Sequence, residues 1–256
     1  MLFRTDGETV IAIPQPSHAW LAGQIVRAWG NERFPRPAPY EEVCLGAEQH
    51  DIAWLRWEAL PTWNPETCLP HAFLELPVAR RTEDWSTGVQ AARAFGRYPA
   101  LIVSLHTNTI YAWLVDNDAL APADTAAIRG LLAEQHAFQH AMREQLAADP
   151  LHAEHATPEA LERNRLLVAA ADRMSLAICW GVAESEVEIP YGPFVLRAPR
   201  RDPENLVLGP WPFAADRLEV LCEGRRLRGP FPDLETMRAA YTEAPAVPIR
   251  AMLRPA

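Results

Sequence analysis

The hydrophobic and polar positions of this chain follow two periods, and the change between them divides the sequence. Apolar residues recur at helical spacing from about residue 14 to residue 181. On both sides, over 1–13 and 182–256, short runs alternate with period two between turn residues, which is typical of strands. The pattern predicts a mainly α protein, with a helical bundle over 14–181 and a small β-rich appendage formed by the N-terminal hairpin and the C-terminal strands.

Individual elements follow from the same periods. Asp6-Gly7 is a strong hairpin signal, so residues 2–13 are predicted to form two strands. A strand competes with a helix over 99–115, because that run is rich in β-branched residues. The remaining predictions are a short helix over 233–241 and longer helices over 18–29, 40–57, 83–98, 99–115, 124–148 and 158–180.

Four ionisable residues stand on the apolar stripes of these predicted helices. His18 lies in the first turn of its helix, and His50, with Asp51 beside it, stands where an aliphatic residue is expected. Asp172 lies in a segment that is apolar nearly all round. Such side chains are costly in a core unless they are compensated, and one divalent cation would compensate all four. The sequence therefore predicts a buried metal centre, with hydrogen-bonded core histidines and ion pairs as the competing interpretation.

Imidazole and carboxylate ligands suit iron, manganese, zinc or magnesium. His106 lies on the inward face of the predicted helix 99–115, where it is either a further ligand or substrate contact, or a core histidine. Arg165 precedes Asp172 by about two turns on one face. It is a candidate clamp for an anionic substrate, or else the partner of a carboxylate. Asp51 is the second candidate catalytic residue.

Composition narrows the classes of function. The chain has 256 residues, a formal net charge of −9 and no long basic run, which argues against nucleic acid or an anionic membrane as the partner. A small-molecule substrate is expected, in a soluble cytoplasmic protein that is a monomer or a homo-oligomer. All 24 basic residues are arginine, so lysine-dependent Schiff-base chemistry is excluded. The four cysteines lack the paired spacing of a zinc site or a disulfide framework.

Several segments resemble a known family. QPSHAWLAGQIVRAWG, EQHDIAWLRW, VSLHTNTIY and ADRMSLAIC, between about Pro14 and Cys179, resemble successive signatures of the bacterial family catalogued as domain of unknown function 3891, and PWPF extends the resemblance. The family brings no established activity. The order His, His-Asp, Asp also resembles the HD superfamily of metal-dependent phosphohydrolases. That resemblance implies an HD-like helical bundle with one metal ion, or with two if His106 is a ligand.

Three hypotheses of function follow. The first is a metal-dependent hydrolase that acts on a small phosphoester-like or anionic substrate. The second is a di-iron oxygenase that resembles inositol oxygenase, which would need redox-active iron at the same ligands. The third is a non-catalytic interaction module, in which the polar residues pair internally and the β-rich part provides the contact surface.

Overall fold

A seven-stranded sheet is the largest single feature of the computed structural model, which describes residues 1–116, 120–189, 192–199 and 202–256. Its strands are β1 Leu2–Asp6, β2 Thr9–Ile13, β5 Glu184–Ile189, β6 Gly192–Arg197, β7 Asn205–Gly209, β8 Leu218–Leu227 and β9 Ala246–Pro255. They lie in the order β1-β2-β8-β9-β7-β6-β5, and only β7 and β9 pair in parallel. A two-stranded ribbon is separate, with β3 Trp63–Asn64 and β4 Leu69–Pro70.

Helices fill the middle of the chain. They are α1 Gln15–Ala28, α2 Tyr40–Glu48, α3 Leu55–Ala59, α4 Val78–Ala92, α5 Arg97–Asp116, α6 Pro122–Ala147, α7 Pro158–Trp180 and α8 Leu234–Glu243. The helices α1 and α7 pack against the sheet and each other, α2 packs against α1 and α7, α5 packs against α2 and α7, and α4 and α6 pack against α5. In the ranges that the structure describes, no helix is long and apolar enough to cross a membrane.

The prediction of a mainly α, HD-like bundle with a small β appendage is wrong. The N-terminal hairpin joins the C-terminal strands through β2 and β8, where Val10 pairs with Leu227, and one curled sheet of seven strands results. The alternating runs at the two ends of the chain show that strands form. They do not show that strands more than 200 residues apart share one sheet, because that pairing is non-local. The division of the chain at 14–181 stays a prediction.

Most of the predicted elements are confirmed, and the ambiguous run 99–115 is a helix within α5. The start of α7 has the expected cap, since the Thr157 hydroxyl accepts a hydrogen bond from the Ala160 backbone N–H at 3.2 Å. Gly181 ends α7 with a φ of 67°, the left-handed conformation that favours glycine. The helix predicted over 83–98 is α4 in the structure, and it begins earlier, at Val78, and ends earlier, at Ala92.

The predicted single helix over 40–57 is also wrong. The helix α2 ends at Glu48, and a short turn of 3₁₀ helix over Ile52–Trp54 leads into α3. The cause is local: the backbone N–H and the Nδ1–H of His50 both donate to the carbonyl oxygen of Ala47, at 3.4 and 2.8 Å. A side chain that takes up a terminal carbonyl in this way favours the end of a helix. His50 and Asp51 therefore lie in a turn and not on a helical stripe.

The two larger of three hydrophobic cores in the described part of the chain hold the helices and the sheet together. The larger one joins α1, α2, α5 and α7 to the inner face of the sheet. The second surrounds Trp54, Trp57 and Trp85, between the 3₁₀ turn, α4, α5 and α6. Large aromatic residues such as Trp54 and Trp57 can line a pocket or fill a core. Both are buried core residues.

The close approach of α4 to the 3₁₀ turn gives a test of the packing. A Cβ atom on Gly88 would lie 2.4 Å from the Ala53 Cα, so we expect Gly88→Ala to lower the free energy of unfolding by about 1–3 kcal/mol. Gly130 is the matched control, because it lies on the exposed face of α6 with no atom within 4 Å of an added Cβ. Gly130→Ala should stabilise the protein by about 0.5–1 kcal/mol. Denaturant unfolding measures both, and equal effects would contradict this packing.

Candidate metal centre

Three histidines and two aspartates converge from four elements that lie far apart in the sequence. His18 comes from α1, His50 and Asp51 from the turn after α2, His106 from α5 and Asp172 from α7. All five side chains are buried, and Asp172 is the most exposed of them at 9%. The structure thus brings together the five residues that the sequence predicted as metal ligands, His106 among them, and their role as ligands stays a prediction.

The backbone around the cluster explains why these elements come so close. The side chain of Ser17 bonds to Glu223 and that of Gln24 to Leu221, which fixes α1 along β8. A Cβ atom on Gly46 would lie 2.7 Å from the Ile102 side chain, so glycine lets α2 lie directly on α5. This contact brings the turn after α2, which carries His50, next to the middle of α5.

The ligand atoms form a continuous set of short separations. The distances are 2.7 Å between His18 Nε2 and Asp51 Oδ2, 3.4 Å between His50 Nε2 and Asp172 Oδ1, and 3.8 Å between His106 Nε2 and Asp172 Oδ2. Two overlapping groups could hold a metal ion, since their ligand atoms lie within 4.8 Å of one another. One contains His18, His50 and Asp51, and the other contains His50, His106 and Asp172.

His50 is oriented as a metal ligand would be. Its Nδ1 must carry the proton, because its partner, the Ala47 carbonyl oxygen, can only accept a hydrogen bond. In a neutral ring, Nε2 then carries a lone pair that can bind a metal ion. That atom is buried and has no properly directed hydrogen-bond partner, since the 3.4 Å contact with Asp172 is poorly aligned. A histidine whose outer nitrogen donates to a backbone carbonyl and whose inner nitrogen is unpaired has the usual arrangement of a metal-bound imidazole.

Ser175 orients His18 in the same way. The Ser175 hydroxyl donates its single hydrogen to the Asp172 carbonyl oxygen at 2.8 Å, so it accepts a hydrogen bond from His18 Nδ1–H at 2.9 Å. His18 Nε2 then faces Asp51 Oδ2 at 2.7 Å. A lone pair and a carboxylate oxygen repel each other at this distance, so a positive charge must lie between or beside them. Either a proton on Nε2 or a metal ion bound by both atoms supplies it.

The carboxylates and imidazoles of the cluster shift one another's pKa values. Burial alone would lower the pKa of His50, but Asp51 and Asp172 outweigh it and raise this pKa to about 9. Burial favours the neutral form of both carboxyls, yet the neighbouring imidazoles, His50 above all, hold their pKa values below the usual range. For His106, burial and the charge of His50 lower the pKa to about 4. Without a metal ion, His50 therefore carries a proton on Nε2 at pH 7, which a bound metal ion would replace, whereas His106 is neutral.

Arg165 lies near the cluster but is engaged elsewhere. Its guanidinium donates to both carboxylate oxygens of Glu162, at 2.7 and 2.8 Å, and to the Thr109 hydroxyl at 2.9 Å. Its role as an anion clamp stays a prediction. Among the other histidines, His136 and His140 lie on the exposed face of α6, as expected.

Ser175 is the residue of this site that sequence reasoning did not select. The available signal was its spacing of three residues from Asp172, which puts both residues on one face of the helix. A buried serine in a helix has many structural explanations, and its bond to His18, which lies 157 positions away, depends on the tertiary fold.

These observations define a class: a helical and β-sheet protein whose buried His and Asp groups could hold a metal ion. The model of the family described as Protein of unknown function (DUF3891) matches residues 1–229, and the chain belongs to that family. No curated protein and no solved structure matches the chain. The resemblance to the HD superfamily therefore has no support from these comparisons or from the fold.

The role of Ser175 can be tested on metal affinity. We expect Ser175→Ala to weaken binding of manganese or zinc by about 10- to 100-fold, because His18 Nδ1 loses the acceptor that fixes its tautomer. Ser104→Ala is the control, since Ser104 is equally buried but bonds to Gln135 and not to a cluster histidine. Titration calorimetry at fixed pH measures both variants. Equal affinities in the two would contradict the orienting role.

The raised pKa of His50 predicts how stability depends on pH without metal. A group whose folded pKa of about 9 exceeds its ordinary 6.5 stabilises the fold fully below pH 6.5, and this contribution is lost as the pH rises to 9. The difference in melting temperature between the metal-free wild type and His50→Gln should therefore shrink over that window. Thermal unfolding across pH measures it, and a difference that stays constant from pH 6.5 to 9 would contradict the shift.

Proposed function

We propose that this protein is a metal-dependent hydrolase that acts on a small phosphoester-like or anionic substrate. The observation that carries the proposal is the contact between His18 Nε2 and Asp51 Oδ2, with the unpaired His50 Nε2 beside it. A metal ion bound by these atoms would supply the positive charge that the contact requires, and the two outer hydrogen bonds to Ser175 and Ala47 leave both inner nitrogens facing the cluster. Hard and borderline divalent ions match this donor set.

Five residues are proposed to bind metal, and Ser175 and the Ala47 carbonyl orient two of them. His18, His50, Asp51, His106 and Asp172 are the proposed ligands of one or two ions of iron, manganese, zinc or magnesium. A bound ion of this kind lowers the pKa of water and polarises an ester oxygen. The chain itself orients the imidazoles, excludes bulk water from the ligands, and keeps Asp51 ionised as a candidate proton acceptor. Asp172, the most exposed ligand, is proposed to lie at the substrate side.

The alternatives differ from this proposal in measurable ways. A di-iron oxygenase would use the same ligands, but it would consume dioxygen and lose activity when manganese replaces iron. A non-catalytic module would rely on internal pairing alone. The unpaired His106 Nδ1 speaks against full internal pairing within the described cluster, since buried polar atoms are normally satisfied.

Replacement of Asp51 tests the metal assignment directly. We expect Asp51→Ala to reduce the metal content of the purified protein and to abolish the rise in melting temperature on adding manganese or iron, because only a bound ligand stabilises the native state. The control is His136→Ala, on the exposed face of α6, which should keep wild-type metal content. Elemental analysis and thermal unfolding give both readouts. Equal metal content in wild type and Asp51→Ala would reject Asp51 as a ligand.

The reaction class needs its own measurement. We expect metal-loaded wild type to hydrolyse a generic aryl phosphate, with loss of the activity in chelator and its return on adding manganese. Asp51→Ala should lack that activity, whereas His136→Ala should keep it. Oxygen uptake with iron and no hydrolysis with manganese would favour the oxygenase. Wild type purified without chelators that holds no metal would contradict the proposal as a whole.

A further inference from the structure

An arginine stands on the buried side of α4, where an apolar residue is expected. Val78, Arg81, Trp85 and Gly88 follow one another at spacings of three, four and three, so they share one face of the helix. The other three are buried against the second core and the 3₁₀ turn. Arg81 thus interrupts an apolar stripe.

The Arg81 side chain is half-buried, and its Nε is the buried atom of the guanidinium. Its Nε atom is out of contact with solvent and has no hydrogen-bond partner, and no ion pair to Arg81 forms within the described ranges of the chain. Its neighbour Arg80 differs, because its Nε donates to the Asp84 carboxylate at 2.8 Å. An exposed arginine that rests its stem on apolar surface would keep its polar atoms in water. A buried and unpartnered Nε instead indicates that a hydrogen-bond acceptor is missing.

The same face of α4 leads to the metal centre. The ring centroids of Trp85 and His106 are 5.9 Å apart, and Gly88 lies against Ala53, two residues after Asp51. Tyr111 lies between the two regions. Burial raises the pKa of its phenol most, the charge of Arg81 lowers it and the charge of Asp51 raises it, so both charges are near this ring. Arg81 therefore lies one helical turn before Trp85, whose ring contacts those of His106 and Tyr111.

We propose that Arg81 is an anion-binding residue, which takes a phosphate or carboxylate group of the substrate whose reacting end lies at the metal centre. A guanidinium matches both groups through paired N–H donors. The inference rests on the proposed function and deepens it by assigning the anionic part of the substrate to a particular residue. Arg165 is less suited to this role, because three hydrogen bonds to Glu162 and Thr109 already occupy its guanidinium.

The energetics give this proposal a distinctive signature. A buried polar group without a partner destabilises the protein in the absence of ligand, and an apolar side chain of similar length relieves that cost. Arg81→Met should therefore leave the ligand-free melting temperature unchanged or raise it. A purely structural arginine would give the opposite result. The matched control is Arg165→Met, which breaks existing hydrogen bonds and should lower the melting temperature or leave it unchanged.

Inorganic phosphate is the probe. Manganese-loaded wild type, Arg81→Met, Arg81→Lys and Arg165→Met are titrated with phosphate at constant ionic strength, and affinity is followed by calorimetry and by melting temperature. We expect Arg81→Met to weaken phosphate binding by about tenfold or more, Arg81→Lys to weaken it less because a charge remains, and Arg165→Met to bind as wild type does. Metal content, measured on each variant, should equal that of wild type.

Other results would overturn the proposal. Phosphate affinity that is equal in wild type and Arg81→Met, or that falls in Arg165→Met alone, would show that Arg81 does not bind the anion. A loss of metal or of the folded state in Arg81→Met would assign Arg81 a structural role. Absence of phosphate binding to metal-loaded wild type would also contradict it. Absence of metal from wild type itself would contradict the proposed function instead, so the two failures are distinguishable.

Discussion

The burial of ionised groups at one place in the core is the constraint on which this structure depends. Two carboxylates and three imidazoles share a region that water scarcely reaches, and an isolated charge there would cost several kcal/mol. Each group is tolerable only because the others, or a cation, stand beside it. The relative positions of α1, α5, α7 and the turn after α2 therefore have little freedom, since any displacement leaves a buried charge without its partner.

The sheet and the surrounding helices serve that constraint in different ways. The sheet fixes α1 through side-chain bonds to the β8 backbone, and it packs against α7, so His18 and Asp172 come from elements with rigid support. The turn that carries His50 and Asp51 is held by α5 on one side and by α4 on the other, at Gly46 and Gly88. Outer hydrogen bonds to a carbonyl and a serine then set which nitrogen of each ring faces inward. Support of this kind is typical of a site that must keep one geometry.

Local arguments predicted the site better than the fold. Polar residues on apolar stripes identified His18, His50, Asp51, His106 and Asp172 because burial is a one-residue property that the pattern records. The predicted stripe through His50 was wrong in its geometry, since α2 ends at Glu48, but His50 is buried all the same. Arg81 was missed because its helix was predicted to begin at residue 83, so the stripe on which it stands was not visible.

By itself the sequence determined most of the helical and strand segments, where α7 is capped, and that the five residues of the cluster are buried, because propensity, capping and periodicity act over a few residues. Only the tertiary structure decided that the two ends of the chain form one seven-stranded sheet, and that Ser175 meets His18 across 157 positions. It also decided that Arg165 bonds to Thr109, 56 positions away, while Arg81 has no hydrogen-bond partner among the described residues. Non-local contacts decide these features, because residues far apart in the chain meet only after the helices pack, and no local pattern encodes which ones meet.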